Sequence, residues 1–331
     1  MFSRDVLAID APAVAASIEA ALRDQVQGSL RRRGAVLGVS GGIDSAVVAA
    51  LCARALGPDR VLALLMPERD GSPEALRLGR LVAEHVGIRW LVEDIGPALE
   101  GLGCYQRQAE AIRAVFPAYG PGWRCKLSMP PLLEGERLNV TTLTVEDPQG
   151  NRRTARLPAA AYLQLVAATN FKQRARKMVE YYHADRLAYA VAGTPNRLEY
   201  DQGFFVKQGD GAADVKPIAQ LFKTQVYALA AYLGIPEEVR RRPPTTDTFS
   251  LPQTQEEFFF ALPWADMDAC LWGHDHGTPA AEVAAALGLA AAQVEHAYRD
   301  IEAKRRATRY LHQPPLLVPA PGAGGAAIRS A

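Results

Sequence analysis

Residues 34–45, Gly34-Ala35-Val36-Leu37-Gly38-Val39-Ser40-Gly41-Gly42-Ile43-Asp44-Ser45, decide the fold. The first half is a short apolar run suited to a buried strand. The second half is a loop of glycines and serines. The apolar stretch Ile43 to Leu56 that follows reads as a helix, ended by Gly57-Pro58. Strand, glycine loop and helix in that order make a phosphate cradle. Amides at a helix N-terminus point outward unpaired and carry partial positive charge. Glycine lets the chain turn sharply and lets phosphate oxygens come close.

Outward from the loop, strands and helices alternate. Residues 11–27 read as a helix, with Val14, Ile18, Ala21, Leu22 and Val26 at helical spacing. Arg60 to Met66 is a second buried strand, Pro73 to Val86 a second helix and Ile88 to Ile95 a third strand. This rhythm predicts an α/β fold, a doubly wound, mostly parallel sheet with helices on both faces. It breaks after residue 103. Residues 104–160 carry prolines at 117, 121, 130, 131, 148 and 158. Thr141 to Val145 and Arg152 to Leu157 flank the turn-forming Asp147-Pro148-Gln149-Gly150-Asn151, a hairpin signal. The segment reads as an insertion. The core resumes with a helix near 161–184, a strand Leu187 to Ala192, a helix Phe222 to Leu233 and a largely helical Thr278 to Leu311. The expected organisation is one α/β domain from 1–103 and 161–315, an insertion at 104–160, and a disordered tail at 316–331.

Composition sets the outer bounds. A chain of 331 residues with 49% apolar and 22% charged residues can bury a full core and is not disordered as a whole. The net charge of +1 argues against a large nucleic-acid footprint, though not against a local basic pocket. Cysteines at 52, 104, 125 and 270 have neither zinc-knuckle spacing nor a disulfide pattern, so buried thiols are expected. No apolar run reaches the roughly 20 residues of a membrane helix. The start carries Asp5, Asp10 and Glu19 and does not resemble a signal peptide. A cytoplasmic protein is the default expectation.

Five readings of the loop compete. A Walker loop needs Lys before Ser/Thr, and Asp44-Ser45 lacks it. The Rossmann G-x-G-x-x-G is absent. Gly38-Val39-Ser40-Gly41-Gly42 fits a hydrolase nucleophile elbow, with Asp266 or Asp268 and His274 or His276 available for a triad. That elbow normally follows several strands, and one precedes it here. The fourth reading is Ser-Gly-Gly-x-Asp-Ser, the pyrophosphate loop of the ATP pyrophosphatases, which uses every residue of the octet. The bland fifth reading is a ligand-free turn.

A second block decides among them: Gly193-Thr194-Pro195-Asn196-Arg197-Leu198-Glu199, Gly203 to Asp214, Pro217-Ile218, Leu221-Phe222-Lys223-Thr224-Gln225-Val226 and Leu233-Gly234-Ile235-Pro236. Together with the loop it resembles the ammonia-dependent NAD synthetases, over about residues 10–100 and 160–310. The resemblance implies a two-step amidation. The carboxylate of deamido-NAD attacks the α-phosphorus of ATP and releases pyrophosphate; ammonia then attacks the acyl-adenylate, giving NAD and AMP.

By the same resemblance, Gly38, Val39, Ser40, Gly41, Gly42, Ile43, Asp44 and Ser45 surround the ATP phosphates. Asp44 and Glu199 are Mg²⁺ ligands. Thr194, Lys223 and Thr245 contact ATP, with Asp44 and Lys223 as the catalytic pair. Arg174, Lys207 and Asp214 contact deamido-NAD. Singly, each of these Lys and Arg residues would be read as a solvated surface charge. A homodimer is implied, with free ammonia or a separate ammonia-supplying chain as nitrogen source.

The chain also departs from the family pattern. Val206 stands where Thr is usual, Pro195-Asn196 where Asp-His or Gly-Asn is usual, and the C-terminal His-Lys-Arg has no clear match near Lys304-Arg305-Arg306 and Arg309. These changes, with the insertion, leave two alternatives. One is a related synthetase acting on another carboxylate, such as nicotinic acid mononucleotide. The other is a non-catalytic ATP-binding protein of the same fold. The triplet Phe258-Phe259-Phe260 reads as core packing, with a cover over the site as its rival.

Overall fold

The structure is a computed structural model, and it describes residues 2–129, 141–246, 248–260 and 262–318. Four parallel strands form the central sheet: β1 (Ala35–Gly38), β2 (Val61–Leu65), β3 (Arg89–Val92) and β7 (Ala190–Val191). Three antiparallel strands form a second sheet: β4 (Arg124–Ser128), β5 (Thr142–Glu146) and β6 (Arg152–Arg156). The helices in chain order are α1 (Ala11–Arg23), α2 (Ile43–Leu56), α3 (Pro73–Val86), α4 (Gly96–Gly101), α5 (Cys104–Arg113) and α6 (Ala159–Leu187). They continue with α7 (Arg197–Gln202), α8 (Lys223–Tyr232), α9 (Glu237–Arg241), α10 (Trp264–Asp275), α11 (Ala280–Leu287) and α12 (Ala291–His312).

The central order is β3-β2-β1-β7. The chain moves outward from β1 to β3, then returns across α6 to lay β7 on the other side of β1. Strand order therefore reverses at β1, and the crevice outside the carboxyl ends of β1 and β7 is the expected ligand position in such a sheet. Side chains alternate across the sheet. Ala35 and Leu37 pack with α1, α2 and α8, while Val36, Leu62 and Leu64 pack with α6. Helix α2 is buried along its length except at Asp44 and Arg54. Full burial of Val47, Val48 and Leu51 there stabilises the fold by about 1.5–3 kcal/mol each. Asp44, at its first turn, is the polar group it presents.

The expected helices at 43–56 and 73–86 have those bounds. The expected strand Leu187 to Ala192 is shorter, because α6 runs to Leu187 and ends on Ala188 in the left-handed region (φ 54°). The hairpin at Asp147–Asn151 forms, with the Asp147 carboxylate accepting from the Gln149 and Asn151 amides. Two features lie beyond it. β4 adds a third strand, and α5 packs its Cys104 and Tyr105 side into a cluster with Ile95, Leu99 and Ala175. All four cysteines are buried and free. Of the expected tail, residues 316–318 belong to no regular element, and 319–331 lie outside the described residues. Asp247 and the prolines at 130 and 131 also lie outside them. Among the described residues no helix is long and apolar enough to cross a membrane.

Candidate active site

The loop Val39 to Gly42 leaves β1 and opens α2. Gly41 has φ +72°, and a Cβ there would stand 2.6 Å from Leu78 Cβ and 2.8 Å from the Ala75 carbonyl. Glycine is required both by the left-handed turn and by the close approach of α3. The two serines face each other. The Ser40 amide donates to Ser45 Oγ at 3.3 Å, the Gly42 amide to Ser40 Oγ at 3.3 Å, and the Ser45 hydroxyl to the Gly42 carbonyl at 3.0 Å. This gathers hydroxyls and amides at the N-terminus of a 14-residue helix.

Three charged side chains meet beside the loop. The Lys223 ammonium, at the start of α8, pairs with Asp44 Oδ2. Asn196 Nδ2 donates to Asp44 Oδ1 at 3.0 Å. Asn196 also caps α7: its Oδ1 accepts from the Glu199 amide, and Glu199 Oε2 accepts from the Asn196 amide. One asparagine thus holds both carboxylates. Glu199 Oε1 accepts from Gln255 Nε2 at 2.8 Å. Burial, and then the nearby Asp44 charge, push the Glu199 carboxyl up to about 7, against the pull of Lys223. For Lys223, burial opposes the charge, but Asp44 and Glu199 outweigh it and raise its pKa.

Asp44 and Glu199 border a cavity of about 890 Å³ at the strand ends. Of the expected residues, Gly38, Val39, Ser40, Gly42, Asp44, Ser45, Arg174, Thr194, Glu199, Lys207 and Thr245 line it. Gly41, Ile43, Lys223 and Asp214 do not. Lys223 stands behind Asp44. Asp214 Oδ2 accepts from the Val191 amide at 2.7 Å and so holds β7. The Lys207 ammonium donates to the Tyr310 and Gln313 carbonyls at 2.8 and 3.2 Å, capping the end of α12, and Arg174 Nε donates to the Lys207 carbonyl. Phe260 is core, as read, whereas Phe258 and Phe259 reach the cavity wall.

The hydrolase elbow is overturned. Among the described residues no histidine lines the cavity. His274 lies among Asp275, Glu302 and Arg305, and His276 bonds the Trp272 carbonyl. Asp268 caps α8 through the Thr224 amide and hydroxyl, at 2.7 and 2.8 Å, and Asp266 pairs with Arg4. Ser40 also lacks the positive φ of a strained elbow serine. Lys304 and Arg305 fasten α12, to the Phe259 carbonyl and to Asp201 and Asp275.

Three participants are not among the expected site residues: Asn196, Gln255 and Arg242. Arg242 donates to the Ser40 carbonyl at 3.2 Å and to Thr245 Oγ1 at 3.4 Å. For Asn196 a signal existed, since Asn-x-x-Glu is a capping-box spelling. Nothing local marks Gln255 or Arg242.

A parallel sheet reversing at β1, with a Ser-Gly-Gly-x-Asp-Ser loop at that point, defines a nucleotide-binding α/β protein of the ATP-pyrophosphatase type. The model of the NAD synthase family matches residues 14–114 and 136–314. The NH₃-dependent NAD⁺ synthetase of Mesorhizobium japonicum is 65% identical over 312 residues, covering 94% of this chain and 98% of that protein. The enzyme of that name from Rhizobium meliloti is 61% identical over 318 residues, 96% of this chain and 95% of that one. The chain belongs to the NAD synthase family. Among solved structures, the NMN synthetase from Francisella tularensis aligns with a TM-score of 0.64 at 22% identity, over 94% of this chain and 99% of that one. The NH₃-dependent NAD synthetase from Campylobacter jejuni aligns at 0.62 and 20%, over 94% and 100%. At such identities these two show the fold alone.

Proposed function

We propose that this chain amidates deamido-NAD to NAD with ammonia and ATP, through an acyl-adenylate, releasing pyrophosphate and AMP. The observation that carries the reading is the meeting of Asp44, Glu199 and Lys223 at the mouth of the serine-glycine loop. The near-full-length relatives at 65% and 61% identity, both named NH₃-dependent NAD⁺ synthetases, support it.

The order of steps follows from chemistry. A carboxylate is a poor electrophile, and adenylation supplies a leaving group. Negative charge grows on the β- and γ-phosphates as the bond to the α-phosphorus breaks. Ser40, Ser45 and the amides opening α2 hold that pyrophosphate, and the Lys223 ammonium adds positive charge beside it. Thr194 and Thr245 offer hydroxyls at the cavity wall. Arg174 and Lys207 are positioned for the dinucleotide acid, with Lys207 exchanging the α12 carbonyls for substrate oxygens. Asp214 acts on this side by holding β7.

Asp44 and Glu199 fit Mg²⁺. Among the described residues no group of three or more His, Cys, Asp or Glu side chains could hold a metal. Two carboxylates suffice for an ion that takes its remaining ligands from water and substrate phosphate. Both carboxylates are held by Asn196 beside the phosphate loop, and they offer the hard oxygen ligands that such an ion takes. When bound, Mg²⁺ would neutralise the developing phosphate charge. We also assign a homodimer, supported by Leu163, Met178 and Tyr182 of α6, each more than 60% exposed, with free ammonia as nitrogen source in the cytoplasm.

Pyrophosphate release from Mg²⁺-ATP and ammonium tests the reading. It would be followed with deamido-NAD, with nicotinic acid mononucleotide, and with no acid. Release coupled to NAD formation is expected with deamido-NAD. Release with the mononucleotide alone would transfer the assignment to that acid, the alternative that Val206 motivates. Silence with both, in a folded protein that binds ATP, would overturn it.

A further inference from the structure

Residues 243–246 and 248–260 run along the cavity wall as a strap. It brings Thr245, Thr246, Thr248, Phe249, Gln255, Phe258 and Phe259 to the wall. Its outer side lies on the inserted sheet. β4 is an edge strand whose free backbone groups would otherwise stand open. The strap covers them: the Leu251 amide donates to the Cys125 carbonyl at 3.0 Å, and the Met129 amide to the Glu257 carbonyl at 3.0 Å. The Cys125 amide donates to Ser250 Oγ at 3.0 Å, and Gln253 Nε2 to the Leu127 carbonyl. Lys126 and Ser128 both reach Glu257 Oε1. Phe249 and Phe258 complete the apolar cluster of the inserted sheet with Leu127, Leu143, Val145 and Leu165. Buried Lys172 ties the strap from below, donating to the Thr248 carbonyl at 2.8 Å.

We propose that the inserted sheet is a brace for this strap, and that Gln255 is the positioning residue through which the brace acts on Glu199. The contact is direct, with Gln255 Nε2 at 2.8 Å from Glu199 Oε1. Gln255 is itself fixed by its amide, which donates to the Pro244 carbonyl at 3.0 Å across the strap. Glu199 has two further anchors, both from Asn196 and both at the other oxygen or the backbone. Gln255 is therefore the group that orients Oε1. The inference rests on the assignment of Asp44 and Glu199 as metal ligands. Loss of a hydrogen-bonding partner behind a metal ligand lowers metal affinity by about 10–100-fold.

Mn²⁺ is the probe, its binding followed by electron paramagnetic resonance with α,β-methylene-ATP present. Gln255→Ala should weaken Mn²⁺ binding about tenfold with little change in Tm. The turnover lost at low Mg²⁺ should return at saturating Mg²⁺. Glu257→Ala, which cuts the strap from Lys126 and Ser128 without touching Glu199, should weaken Mn²⁺ binding in the same direction and by less. Glu257→Gln should restore it in part. The double variant should be no worse than Gln255→Ala alone, because the two lie on one line of contacts. Gln255→Ala binding Mn²⁺ within twofold of the unmodified chain would overturn the inference. Full additivity of the two substitutions would do the same. Failure of the unmodified chain to bind Mn²⁺ would instead overturn the metal assignment beneath it.

Discussion

The two sheets of this molecule divide labour. In the parallel sheet β1, β2 and β7 are buried while the edge strand β3 is largely exposed, and the chemistry gathers at one end, on loops that leave β1 and β7. Among the described residues the antiparallel sheet contributes Leu127 alone to the cavity wall. Its other face carries Thr144 and Thr154, and Glu146 buried beneath its exposed partners Arg124 and Arg152. Yet its edge holds the strap, and the strap holds Gln255. Reactive groups thus come from the sheet whose strand order reverses, and mechanical support comes from the sheet built of local pairings. The two can be broken separately.

The largest effect is expected at Asp44. Asp44→Asn removes the charge that pairs with buried Lys223. Pyrophosphate release should fall on the order of 10²–10³-fold. Leaving Lys223 without that partner should destabilise the fold by about 3–5 kcal/mol, moderated by Glu199, in denaturant titration. A variant that kept most of its turnover would remove Asp44 from the chemistry.

Next is Leu143, fully buried in β5, the middle strand of the antiparallel sheet. Leu143→Ala should destabilise by about 3 kcal/mol through the cavity it opens. Hydrogen exchange should show loosened amides in 142–156 and 249–258, with those of β1 and β2 unaffected. Equal loosening in both sheets would erase the division between them.

The smallest effect concerns Asp268. Burial pushes its carboxyl up to about 6, against the bonds from Thr224. A carboxyl whose folded pKa lies above its unfolded value holds its proton better when folded. Its contribution is complete below about pH 4 and is lost as pH rises through about 6. Asp268→Asn mimics the protonated form. Its stability curve between about pH 4 and 6 should therefore be flatter than that of the unmodified chain, by about 1–2 kcal/mol across the window. Parallel curves would show that Asp268 does not titrate there.

Much of the fold was legible. Val36 and Leu37 in a short apolar run, and an α2 apolar on all sides, announce a buried strand and a buried helix whatever surrounds them. The hairpin at Asp147–Asn151 is spelled locally. Helix α5 has no place in the sequence expectations, although its buried residues Cys104, Tyr105, Gln108, Ala111 and Ile112 recur at helical spacing. The ends of β7 were not legible. Leu187 to Ala192 is apolar throughout, and only packing decides that α6 takes its first residue. In the site, Asp44 and Glu199 were named from motif, yet the asparagine between them was seen only as a departure from the family pattern.

The sequence by itself determined the layers, the loop at the head of α2 and the family, because periodicity, glycine placement and motif spacing are short-range properties. Only the tertiary structure decided that Lys223 reaches Asp44 across 179 positions and Gln255 reaches Glu199 across 56. It alone decided that Asp214 holds a strand and that Lys207 closes a helix end. A charged side chain carries no local mark of its partner. Which partner it meets follows from how buried helices and strands fill space, and that is settled by the packing of the whole chain.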